Sequence, residues 1–250
     1  PELFNTSYGV VVLSIVVVAL ALFVVAEKVE AMVNERPQQV LPGWSKPAAG
    51  ALVALAAVAL VIGQPSNADR WQAIEAEAQA KLDNREVQIA PAELLKYIDD
   101  TKIKMVLLDV RDERDYNQFH IRGAVHVPLE KVQEKARELQ FELANTVFVT
   151  MSNDEAAATE AWKILKAESL PNTYILEGGI NNWLSTYAAD SLGEDDRIAM
   201  KQTDQLAYKF NAATGSRHPA AEPSPHFLNL KYEPKVILEL KRAPTSGGCG

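Results

Sequence analysis

Residues Leu107 to Leu129 read LLDVRDERDYNQFHIRGAVHVPL. The stretch opens inside an apolar run, KMVLLDV from Lys104 to Val110, with the composition of a strand buried on both faces of a parallel sheet. It then turns polar, with Asp112, Glu113 and Asp115 close together, and closes on Gly123 and Pro128. Gly123 suits a turn conformation closed to other residues, and Pro128 fixes the entry to the next segment.

Outward from this stretch the same pattern recurs. VQIA (87–90) precedes the helical PAELLKYIDD (91–100), TVFVT (146–150) reads as a second buried strand, and NTYILEGG (172–179) as a third. Strands separated by helices predict an α/β layer fold: a parallel sheet flanked by helices. In such sheets sites form at the carboxyl ends of strands, which is where the loop after Thr150 falls.

The residues Asp109, Arg111, Tyr116, His120, Ile121, Gly123, Ala124 and Pro128 together resemble the signature of the rhodanese family: a strand ending in D-x-R, then an H-I-x-G-A-x-x-x-P turn. YILEGGINNWL (174–184) is similar to the family's second signature, with Glu177, Gly178, Gly179 and Trp183 in place. The resemblance covers about 100 residues, Val87 to Tyr187. It implies a packing and hydrogen-bonding role for His120, and a structural pairing of Asp109 with Arg111.

In an active family member the second strand leads into a nucleophilic cysteine, held by converging backbone N–H groups, that carries sulfur as a persulfide. Here that loop reads TMSNDEA, so Thr150 is expected at the cysteine position, followed by Met151, Ser152, Asn153, Asp154 and Glu155. A threonine hydroxyl forms no persulfide, and Asp154 and Glu155 would meet a thiosulfate or phosphate dianion with like charge. Sulfur transfer, phosphatase chemistry and serine hydrolysis at Ser152 are therefore not expected. The loop's oxygens, with Asp112, Glu113 and Asp115 nearby, are a weak candidate for calcium, centred on Asp154 and Glu155. The competing reading is a solvated acidic surface. No cofactor is expected.

The rest of the chain is uneven. Residues 1–65 carry two apolar runs, expected as a transmembrane hairpin with helices at about 9–26 and 44–63. The first, GVVVLSIVVVALALFVVA (9–26), is uncharged; the second includes AAGALVALAAVALVI (48–62). Nothing basic precedes Gly9, so the hairpin is expected to stay on the protein. Lys28, Arg36 and Lys46 between the runs place the connecting loop in the cytoplasm. This sequence therefore reads as an integral membrane protein in contact with the lipid bilayer, with a periplasmic or extracytoplasmic domain. SNADRWQAIEAEAQAKLDNR (66–85) has helix-capping residues and helical spacing, an amphipathic stalk over 66–86 that lies on its own domain or on a partner.

The rhodanese-like domain is expected over 87–190, then an extended tail over 191–250. The tail is rich in Pro, Ser and Ala and reads as a linker, with a candidate docking strand at 235–241. The single cysteine, Cys249, sits next to the last residue on a glycine arm, a candidate sulfur carrier. One cysteine excludes an intrachain disulfide, and a net charge of −8 argues against nucleic acid. These features predict a non-catalytic rhodanese-homology module that docks in a membrane complex beside other subunits. The alternatives are a persulfide-trafficking protein and a cation-binding regulatory domain.

Overall fold

The computed structural model describes residues 8–33, 50, 51, 54, 65–98, 100, 102–224 and 231–238. Two compact units divide the chain, Pro1–Pro65 and Ser66–Gly250.

In the first unit, Tyr8–Val33 forms one helix, α1. The expectation of an integral membrane protein is corrected here: among the described residues no helix is long and apolar enough to cross a membrane. The uncharged stretch of α1 extends about 27 Å at 1.5 Å per residue, near the lower end of what a bilayer core of ~30 Å requires. Beyond it, the last two turns carry Glu27, Lys28 and Glu30. The second helix, expected over 44–63, lies outside the described residues except at Gly50, Ala51 and Ala54.

The second unit opens on α2 (Asn67–Asp83), started by a capping box in which Ser66 Oγ accepts from Asp69 N and the Asp69 carboxylate accepts from Ser66 N. This helix lies on its own domain. Ala78 and Leu82 are buried, Trp71 meets Trp162 edge-on at 6.3 Å, and Arg70 pairs with the buried Glu168.

Five strands follow: β1 (Gln88–Ile89), β2 (Lys104–Asp109), β3 (Val125–His126), β4 (Thr146–Met151) and β5 (Thr173–Leu176). They form one sheet in the order β1-β5-β4-β2-β3, and every pairing is parallel. Between them run α3 (Pro91–Ile98), α4 (Glu113–Gln118), α5 (Val132–Leu139) and α6 (Ala156–Ala167), and α7 (Gly179–Tyr187) closes the series.

Strand β4 is central and buried along its whole length. Successive side chains point to opposite faces of a sheet. Accordingly, Val147, Val149 and Met151 pack into one apolar layer with Ile89, Leu94, Trp162 and Trp183. Phe148 packs into the other, with Leu108, Val132, Ala136 and Leu165. Trp162 buries its ring and donates its indole N–H to Thr173 O at 2.7 Å, so no polar group is stranded.

Residues 191–224, within the segment expected as a linker, contribute to this core. Leu206, Tyr208, Ala220 and Ala221 are buried within the apolar layer that holds Trp183. Trp183 donates to Ala220 O at 2.7 Å, and Arg122 N donates to Ala221 O at 2.9 Å. Residues 231–238 are irregular where a strand was expected from 235, and side chains hold them instead of a ladder. The buried Glu93 accepts from Lys235 N and Val236 N through one oxygen, each at 2.8 Å, and Tyr174 Oη accepts from Ile237 N at 2.8 Å.

Candidate functional site

Strand β4 ends at Met151, and the loop Ser152–Glu155 carries the chain into α6. Thr150 is thus a strand residue, in register with Leu108 on one side and Ile175 on the other. Its fully buried hydroxyl donates to Ala158 O at 2.9 Å. The expectation that Thr150 and Met151 belong to the loop is corrected: they are the last two residues of β4. Ser152 is the first residue past the strand. It is fully buried, and its Oγ accepts from Ala158 N at 3.1 Å.

The loop rests on the start of α7. Ile180 N donates to Ser152 O at 2.9 Å and Asn181 N to Asn153 O at 3.0 Å. Gly178 and Gly179 make this approach possible, both with φ near +60°. A Cβ at Gly179 would lie 2.0 Å from Asp154 O and 2.5 Å from Ser152 O.

A helix start leaves backbone N–H groups without intrahelical partners, and here side chains take them. Ala156 N donates to Asp154 Oδ1 at 2.7 Å and Ala158 N to Ser152 Oγ. Asp154 N and Ala157 N donate to the two oxygens of Asp204, at 2.9 and 2.8 Å. Glu155 turns the other way, accepting from Gly178 N at 2.7 Å and pairing with Arg85 at 2.8 Å. Arg85 also reaches Glu177 at 3.0 Å, and these contacts hold its guanidinium pKa well above the ordinary value. The loop carboxylates are therefore engaged, and among the described residues no group of three or more His, Cys, Asp or Glu could hold a metal ion.

Beneath the loop lies a buried cation. Arg111 donates from Nε to Asp109 Oδ1 at 2.9 Å, from Nη2 to Asp109 Oδ2 and Phe119 O at 2.6 Å each, and from Nη1 to Asn153 Oδ1 at 3.2 Å. Neither side chain of the pair is more than 1% exposed.

The rhodanese-like domain family matches residues 90–186. Thiosulfate sulfurtransferase GlpE of Pseudomonas entomophila is 29% identical over 86 residues, 34% of this chain and 76% of that protein. The protein of the same name from Pseudomonas fluorescens is 30% identical over 88 residues, with the same coverage of each chain. The chain belongs to the rhodanese-like family. Among solved structures, a rhodanese-like domain protein of Staphylococcus aureus is 18% identical, with a TM-score of 0.33, over 38% of this chain and 89% of that one.

The remaining residues of the two rhodanese signatures serve the scaffold. His120 bonds through Nδ1 to Tyr116 O at 2.9 Å and stacks on the Tyr116 ring at 3.9 Å. Gly123 has φ +81° in the turn before β3, and Pro128 leads into the short 3-10 turn 129–131. Trp183 is fully buried. Cys249 lies outside the described residues. Sequence reasoning missed Asp204, Arg85 and Glu93. Asp204 lies about fifty residues beyond the loop in a stretch without periodicity, and no local pattern marks it.

Proposed function

We propose that this chain is a rhodanese-homology module without sulfurtransferase activity at its loop, acting as a docking or assembly subunit for another protein. The observation that carries this reading is the residue at the carboxyl end of β4. Met151 ends the strand and Ser152 follows it, buried, its oxygen already accepting an amide N–H, and neither side chain carries the thiol that a persulfide needs. The rest of the scaffold is kept, down to the Arg111–Asp109 pair. Retention of a fold without its nucleophile supports use of its surfaces.

The test has two arms. The purified full chain is assayed for thiocyanate formation from thiosulfate and cyanide, beside Ser152→Ala and Cys249→Ser variants, and a turnover no greater than in Ser152→Ala is expected. Turnover lost in Ser152→Ala would overturn the non-catalytic reading. Turnover lost only in Cys249→Ser would move sulfur chemistry to the C-terminal arm. In the second arm a tagged chain is isolated from its source, and a partner at fixed stoichiometry is expected. Isolation of the chain alone would count against docking.

A further inference from the structure

The amides that face outward from loop 152–155 already hold an anion, and it comes from the chain itself. Asp204 spans Asp154 N and Ala157 N with its two carboxylate oxygens, and its own N–H donates back to Asp154 Oδ2 at 2.8 Å. Its carbonyl oxygen accepts from Asn153 Nδ2 at 2.8 Å. The geometry is that of a bound carboxylate at a helix start, where amide dipoles favour negative charge.

The segment that presents Asp204 is a strap, closed on itself and fastened to the domain. Ile198 N donates to Ala207 O at 2.8 Å and Lys209 N to Asp196 O at 2.7 Å, so its two arms run antiparallel. Leu206 and Tyr208 anchor it in the core, and Asn181 grips it by donating to Gln205 O and accepting from Ala207 N. At its tip Asp204 has φ +59°, a conformation that costs a non-glycine residue and persists only where its surroundings impose it.

We propose that Asp204 is a built-in anion: the strap 196–209 occupies, in cis, the amide cradle that would otherwise take a small oxyanion such as thiosulfate, sulfate or phosphate. The proposal deepens the non-catalytic reading and rests on it for the loop's ancestry. Free dianions are kept out by this occupancy.

The test uses the full chain. Wild type, Asp204→Ala and Asp204→Asn are titrated with sodium thiosulfate at constant ionic strength, with amide shifts of the loop followed by NMR. In Asp204→Ala, saturable shifts centred on Asp154 and Ala157 are expected, with affinity about tenfold or more above wild type. A folded Asp204→Ala protein without such shifts, or wild type that binds equally well, overturns the proposal. If Asp204→Ala does not fold, Asp204→Asn is read by its melting temperature. Thiosulfate should raise its midpoint above that in chloride of equal ionic strength, and no rise overturns the proposal. Thiocyanate formation, assayed on the same samples, separates the two ideas. Turnover by wild type sinks the non-catalytic reading alone, whereas failed anion uptake leaves that reading standing.

Discussion

Arg111 Nη1 lies 3.2 Å from Asn153 Oδ1, so the cation buried at the end of β2 also fixes the loop at the end of β4. The other donors of its fork go to Asp109 and Phe119 O, leaving the Asp109 carboxylate dependent on this one partner for its charge. Removing one member of a buried pair strands the other. Arg111→Ala is expected to cost about 3–5 kcal/mol, measured by urea unfolding. Arg111→Lys should recover only part of this, because an ammonium cannot reproduce the fork. Equal stability of Arg111→Ala and wild type would refute the account.

Two glycines with positive φ should respond very differently to alanine. At Gly123 nothing lies within 4 Å of the added Cβ, so only the left-handed conformation is penalised, by about 1–2 kcal/mol. At Gly179 the same atom would strike Asp154 O at 2.0 Å. Gly179→Ala is expected to exceed about 4 kcal/mol and to loosen the loop. Thermal melts of the two variants check the order, and comparable losses would show that the loop is not seated on α7 as described.

A cysteine placed at the strand end distinguishes position from chemistry. Ser152→Cys combined with Asp204→Ala and Cys249→Ser should take up sulfur from thiosulfate. The thiolate attacks the outer sulfur, the sulfur–sulfur bond of thiosulfate breaks, and sulfite leaves with the electron pair. The protein then gains about 32 Da as a persulfide. Thr150→Cys in the same background should gain nothing, because residue 150 lies inside β4, paired with a neighbouring strand on each side, whereas residue 152 follows the strand. Mass spectrometry reads both, and labelling of the Thr150→Cys protein alone would restore residue 150 as the nucleophile position.

Tyr187 packs edge-on against Trp183 with ring centroids 4.7 Å apart, and its phenol oxygen has no hydrogen-bond partner among the described residues. Burial pushes its pKa up to about 12 from an ordinary 10.0. The folded state thus keeps a proton that the unfolded state gives up. The stability this contributes is fully present below the unfolded value and is lost as pH rises through the folded one. Tyr187→Phe should remove that part of the alkaline slope between about pH 10 and 12, measured by denaturation at stepped pH.

Much of the fold was legible because it rests on local patterns. KMVLLDV, TVFVT and NTYILEGG are apolar runs that only a buried sheet explains, and they became β2, β4 and β5. The site was less legible, because its geometry is set by contacts distant in sequence. Thr150 and Ser152 differ by two places, and only the strand register tells which of them leaves the sheet. The Asp154 and Glu155 charges suggested repulsion, but the structure spends them on Ala156 N, Asp204 N, Gly178 N and Arg85. The apolar run 9–26 misled for a different reason. Hydrophobicity is a necessary condition for crossing a bilayer and not a sufficient one.

Glu93 grips the amides of residues 142 and 143 positions further on. A ribosome therefore releases the whole family-matched stretch, 90–186, before the carboxylate can meet either amide. Until synthesis reaches Val236 the nascent domain carries a buried acid without these two donors, and until Ala220 emerges Trp183 lacks its acceptor. Contacts of such long sequence separation slow the closing steps of folding. Residues 235 and 236 complete the surroundings of Glu93, so a chain cut after residue 190 would not be a smaller version of this domain but an unfinished one.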